Sequence, residues 1–141
     1  MKLSITKRRQ FMKSAAGLGA VGAMPLMAAA AEGGSRTKAP GGVRVGNLYF
    51  SGGLATSGAD IKEQTQKVLE MHKANLEKMG SSLANVIKVT VFLADVRKEK
   101  PAMNEVYAKF FPKDAPARSA FGVQFPDDET RVEIELVAYI P

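Results

Sequence analysis

The chain has 141 residues, enough for one domain, and carries 20 basic against 14 acidic residues for a formal charge of +6. Five of the basic residues lie within 1–31, which hold no acid, so the rest of the chain carries fifteen against fourteen; that leaves no basic face on which to argue nucleic-acid binding. With no cysteine and the single histidine His72, there is no disulfide framework, no thiol nucleophile, and no His cluster for zinc or for Ser-His-Asp chemistry.

Lys7-Arg8-Arg9-Gln10-Phe11-Met12-Lys13 precedes a weakly apolar run from Ala15 to Leu26, and Ala28 to Ala31 supplies small residues suited to cleavage. This is the three-part build of a secretory signal, and the paired arginines resemble the twin-arginine (Tat) type. The expectation is a signal over 1–31, export to the periplasm, and no membrane attachment once it is removed. The alternative is an ordinary membrane anchor. Against it, Gly17, Gly19, Gly22 and Pro25 interrupt the run, which falls short of the ~20 apolar residues of a spanning helix. Residues 32–42 are small and polar and read as a flexible lead-in to a domain over 43–141.

Val43 to Ser51 reads as two short strands around a Gly46-Asn47 turn. Ser51-Gly52-Gly53 follows, either a loop whose backbone approaches a ligand or a plain connection. Asp60 is placed to cap a helix over 61–79, with Ile61, Thr65, Val68, Leu69, His72, Leu76 and Met79 on one stripe and Gly80 beyond its end. His72, at the edge of that stripe, reads as a core or helix-surface histidine because no partner accompanies it.

Val86 to Ala94 is the strongest strand signal, with Ile87, Val89, Val91 and Leu93 alternating with Lys88, Thr90 and Phe92. A second helix is expected from near Pro101, with Met103, Val106, Tyr107, Phe110 and Phe111 as its apolar stripe and Pro112 as its end. Asn104 reads as a polar contact or a solvated position. Pro116 opens a strand that sets Ala117, Ser119, Phe121 and Val123 on one face and Arg118, Ala120, Gly122 and Gln124 on the other. The last strand sets Val132, Ile134, Leu136, Ala138 and Ile140 against Glu133, Glu135, Val137 and Tyr139.

The order β-β-α-β-α-β-β implies an α+β fold, a mixed sheet with two helices on one face. If the last two strands pair, Arg118 and one or two carboxylates share the uncovered face. Arg118 then holds a small anion while Glu133 handles water or a proton. The competing reading is a structural bridge between Arg118 and Glu133 or Glu135. Phe92 and Tyr139 make that face too apolar to be bare, and a symmetric oligomer with sites at its seams resolves the conflict.

Several stretches taken in order resemble the RidA/YjgF family, also called L-PSP endoribonuclease-like. They are Ser51-Gly52, Val86 to Leu93, Asn104-Glu105-Val106-Tyr107 with Phe110-Phe111, Pro116-Ala117-Arg118-Ser119, and Val132-Glu133-Ile134-Glu135. The resemblance covers Val43 to Pro141. It implies a chorismate-mutase-like fold and a homotrimer with its sheets turned inward and clefts between subunits. It also implies hydrolysis of reactive 2-imino or enamine acids to 2-keto acids and ammonia, with no metal or cofactor. By position it implies Arg118 as the carboxylate clamp and Glu133 as the residue that orients water. Ser51, Gly52, Asn104 and, through its main chain, Ala120 then line the cleft. The family's deaminases carry a tyrosine upstream of the first hairpin; this chain has Ala39-Pro40-Gly41-Gly42-Val43 there, and Gly53 where a glutamine is common. Two other readings follow: a non-catalytic module binding small carboxylates in the same cleft, and an envelope holdase or interaction protein.

Overall fold

A computed structural model describes residues 35–141; the expected signal over 1–31 lies outside them. The described chain begins with three short strands, β1 (Arg36–Ala39), β2 (Gly42–Val45) and β3 (Leu48–Ser51), each antiparallel to the next. Strand β1 corrects the expectation of a flexible lead-in through residue 42. Ala39 pairs with Gly42, so Pro40-Gly41 forms a two-residue turn. Proline presets the first turn position, and Gly41 at φ +67° supplies the left-handed second one. The Tyr49 hydroxyl donates to the Pro40 carbonyl at 2.7 Å and pins the turn to the core.

Helix α1 (Ile61–Lys78) starts where expected: the Asp60 carboxylate accepts from the Glu63 N–H at 2.9 Å. Its end is a Schellman motif. The Gly80 N–H donates to the Glu77 carbonyl and the Ser81 N–H to the Leu76 carbonyl, both at 3.0 Å, with Gly80 at φ +73°. Ile61, Val68, Leu69 and Leu76 are buried along its inner stripe.

A short 3-10 turn (Leu83–Asn85) leads into β4 (Val86–Leu93). The ladder steps from Val86 opposite Ala138 to Lys88 opposite Val137, leaving Ile87 as the extra residue of a bulge. The expected alternation therefore holds only from Lys88 onward; Val86 faces the core and Ile87 is half exposed. Helix α2 (Val96–Phe110) starts a full turn before the expected Pro101, because the Asp95 carboxylate caps it by accepting from the Arg97 and Lys98 N–H groups at 3.1 Å. Pro101 is tolerated inside the helix on its exposed side, where solvent serves the carbonyl left without a donor.

Strands β5 (Ala117–Gly122) and β6 (Val132–Tyr139) complete a six-stranded sheet in the order β1-β2-β3-β6-β4-β5. The last two strands do not pair. Strand β4 lies between them, antiparallel to β6 and parallel to β5, with α2 as the crossover that a parallel pair requires. The mixed sheet and two helices on one face are as expected, with β1 as the addition.

The core forms between the helices and the face bearing Tyr49, Val89, Val91, Leu93, Val132, Ile134, Leu136 and Ala138. Gln64 of α1 anchors the approach to β6: its amide donates to the Glu129 carbonyl, and its carbonyl accepts from the Arg131 N–H, each at 2.9 Å. The buried Glu99 carboxylate of α2 takes the Arg131 guanidinium. Among the described residues, no helix covers the opposite face. Val45, Leu48, Phe50, Phe121 and Tyr139 lie there at 37–53% exposure.

Candidate functional site

Arg118 stands level with Val89 in the parallel β4–β5 ladder, so its side chain rises on the helix-covered face. There its Cζ lies 4.5 Å from the centroid of the Tyr107 ring. Tyr107 comes from α2, is nearly buried, and packs on the Phe111 ring with centroids 4.7 Å apart. An open groove of about 320 Å³ runs beside the guanidinium, between Asn104, Tyr107 and Phe111 of the helix side and Pro116 and Arg118 of the strand. Among the described residues, Arg118 takes part in no ion pair. The Asn104 Oδ1 and the Tyr107 hydroxyl are buried there without hydrogen-bond partners. Burial pushes the Tyr107 hydroxyl up to about 12, with the Arg118 charge pulling the other way, so the ring stays a neutral phenol at ordinary pH.

Glu133 lies on the other side of the sheet. It pairs with Phe92, and Glu135 with Thr90, on the uncovered face. The expectation that Arg118 and Glu133 share one face is thus corrected. The last strand's faces are as read, but those of β5 are exchanged. Ala120 and Gly122 accompany Arg118 toward the helices; a Cβ added at Gly122 would stand 3.1 Å from the Val96 side chain, and Ala120 packs against the core. Phe121 points to the open face and stacks with Phe92 at 6.5 Å. With a sheet between them, the structural bridge from Arg118 to Glu133 or Glu135 does not form within a protomer.

The Ser51-Gly52-Gly53 loop sits with Glu133. Leu54 and Ile134 exchange backbone hydrogen bonds at 2.9 and 3.0 Å, which brings the loop against β6. The Glu133 carboxylate occupies the space where a side chain on residue 53 would begin. The Ser51 hydroxyl accepts from the Leu136 N–H at 2.7 Å and keeps its own proton to donate. The Gly52 N–H is already committed to the Gly41 carbonyl at 2.8 Å. Ser51 also borders a depression of about 100 Å³ on the open face with Phe50, Lys88, Thr90, Glu135 and Val137. The six candidates therefore fall into two groups: Arg118, Asn104 and Ala120 on the helix side, and Ser51, Gly52 and Glu133 around the β3 end and open face.

His72 is a core residue. Its Nε2 lies 2.8 Å from the Ile134 carbonyl, an acceptor, so that nitrogen carries the proton; Nδ1 is buried without a partner. Burial holds its pKa below the usual histidine value, partly countered by the Ile134 carbonyl. Among the described residues, no group of three or more His, Asp or Glu side chains is placed to hold a metal, and no helix is long and apolar enough to cross a membrane.

Tyr107 is the site neighbour that sequence reasoning passed over. Its place in an apolar helical stripe reads as core, which it also is. The available signal was its position one turn after Asn104.

The endoribonuclease L-PSP family model matches residues 40–140. A RutC family protein of Pyrococcus abyssi is 40% identical over 105 residues, covering 69% of this chain and 82% of its own. Among solved structures, a member of the YjgF/YER057c/UK114 family from Mycobacterium tuberculosis is 32% identical with a TM-score of 0.67, covering 71% of this chain and 85% of its own. A putative endoribonuclease of Thermotoga maritima is 38% identical with a TM-score of 0.65, covering 70% of this chain and 84% of its own. The match spans both groups of candidate residues, from the Ser51 loop to Glu133, and the chain belongs to the L-PSP endoribonuclease family, the YjgF/RidA group.

Proposed function

We propose that the protein hydrolyses reactive 2-imino or enamine acids to 2-keto acids and ammonia, in clefts formed between copies of the chain. The observation that carries the reading is Arg118, a cation without a carboxylate partner among the described residues, at the edge of an open groove. A guanidinium edge meets a planar carboxylate with two parallel hydrogen bonds. The substrate's C=N carbon next to that carboxylate then needs one placed water. The water oxygen bonds to the carbon as the C=N π bond gives way and one water proton passes to nitrogen, forming a carbinolamine; its hydroxyl proton then passes to nitrogen, the C–N bond breaks, and ammonia leaves as the C=O forms. Glu133 is suited to orient that water and move its proton. Since Arg118 and Glu133 occupy opposite faces of one protomer, the reading takes Arg118 with Asn104 from one copy and Glu133 with the Ser51 loop from another. A homotrimer with inward-facing sheets supplies such seams and covers the apolar open face. The paired arginines of the amino-terminal segment favour action after export to the periplasm.

Generating imino acids with an amino-acid oxidase and trapping them with semicarbazide tests the activity. Wild type should speed imine loss and Arg118→Ala should not; equal rates for wild type and buffer would eliminate the reading. One observation favours a second function, a small-carboxylate binding module without turnover: residues 39–43 offer no tyrosine at the family's usual position. Saturable, Arg118-dependent binding of a keto acid with no imine loss selects it.

A further inference from the structure

An arginine clamp works only if its N–H edge faces the ligand before the ligand arrives. A free arginine side chain carries rotamer entropy that is lost when it is ordered. Among the described residues no carboxylate, carbonyl or hydroxyl fixes the Arg118 guanidinium; the contact made is with the Tyr107 ring, 4.5 Å from centroid to Cζ. That is well inside the ~6 Å reach of a cation–π contact. The ring is itself immobile: it is 6% exposed, sits within α2, and leans on Phe111.

Aromatic contact and carboxylate recognition use different parts of a guanidinium. The ring takes up the flat face, while a carboxylate takes the in-plane donors at the edge. A salt bridge to a protein carboxylate would have occupied the edge instead. The Tyr107 hydroxyl is buried and unpartnered, so it does not hold Arg118.

We propose that Tyr107 is the positioning residue of the Arg118 site, its ring supporting the guanidinium plane so that the N–H edge is free for a substrate carboxylate; this rests on the carboxylate-clamp reading above. The ring, not the hydroxyl, does this. Tyr107→Phe therefore preserves the site, and Tyr107→Leu, which keeps apolar bulk, loses it.

The test titrates the full-length protein with pyruvate by calorimetry and records the Arg118 Nε–H resonance without ligand. Tyr107→Phe should bind within about two-fold of wild type. Tyr107→Leu should bind about five- to thirty-fold more weakly, the fold-change expected from a contact of ~1–2 kcal/mol. Because Leu in this buried place can unfold the chain, a series of ring-fluorinated phenylalanines at 107 supplies the second arm. Each added fluorine weakens the ring's negative face with little change of shape, so affinity should fall stepwise and the ring-current shift on the Arg118 Nε–H should persist. Flat affinity across the fluorine series overturns the proposal, as does a Tyr107→Phe loss equal to that of Tyr107→Leu. Failure of wild type to bind pyruvate would instead sink the carboxylate reading and the role built on it. Pyruvate binding without a ring-current shift on Arg118 overturns the Tyr107 assignment alone.

Discussion

Arg118 and Glu133 rise from opposite faces of one sheet, on strands separated by β4. A side chain cannot reach through a hydrogen-bonded sheet, so a site needing both must borrow one from another copy. This gives a complementation test. Arg118→Ala and Glu133→Gln should each be inactive alone. Co-expressed with different tags, they should recover about a third of wild-type activity in the mixed trimer, because each ring holding both chains has one seam of three that sets an intact Arg118 beside an intact Glu133. Imine loss by the purified mixed oligomer is the measurement. A mixture as silent as its parents would mean that the two residues do not share a seam.

The Glu133 carboxylate lies directly over Gly53. The Glu133 carboxylate fills the volume a Cβ at residue 53 would need, and the Leu54–Ile134 backbone pairing keeps the loop from backing away. Gly53→Ala should therefore turn the carboxylate aside while leaving the core untouched. The expected outcome is a drop in kcat of about ten-fold or more, in line with losing a positioned proton-transfer group. Tm should move by only a few degrees. Unchanged kcat would show that the present seat of Glu133 is not the working one.

Much of the fold was readable in residue spacing. Asp60, Gly80 and the stripe from Ile61 to Leu76 carry both ends and the inner face of α1 in the sequence itself. Strand β6 was readable because its alternation is complete: every inward position is apolar, and Glu133 and Glu135 stand between them. Strand β5 was not. A period of two separates its residues into two sets without saying which set is inside. Arg118 and Gly122 made their set look external, yet they lie under α2, and the large apolar Phe121 lies outside. Only the parallel pairing with β4 decides this, and a parallel partner is a long-range fact with no local signature. Strand β1 was missed because Pro40-Gly41 reads equally as a loop or a tight turn.

His72 makes the fold's stability depend on pH. It is buried and neutral, with its folded pKa below the ordinary value near 6.5. Above pH ~6.5 neither folded nor unfolded chain binds this proton, and stability is at its plateau. As pH falls below 6.5 the unfolded chain takes up the proton and the folded chain does not, so stability declines by up to about 1.4 kcal/mol per pH unit until the folded pKa is reached. Urea unfolding between pH 8 and 5 should show this slope in wild type and a flatter profile in His72→Leu. The variant should also lose about 0.5–1.5 kcal/mol at pH 8, where the Ile134 carbonyl loses its imidazole donor but keeps the Leu54 N–H. Parallel pH profiles would place the sensitive group elsewhere.

The uncovered face makes the last prediction. Leu48 pairs with Tyr139 and Phe50 with Val137, while Val45 opposes Leu48, so the exposed Val45, Leu48, Phe50 and Tyr139 form one continuous apolar patch rather than scattered residues. A patch of this kind on a monomer favours association, and a charge placed within it should prevent burial against another copy. Phe50→Glu should leave the protomer folded, because residue 50 points away from the core, and should convert the oligomer to monomer. Wild type should sediment at about three times the chain mass and the variant at one, with unchanged far-UV dichroism. The monomer should also lose imine loss entirely, since Arg118 would keep its groove but have no Glu133 across from it. A monomeric variant with full activity would put the whole site within one chain and reverse the assignment of Glu133.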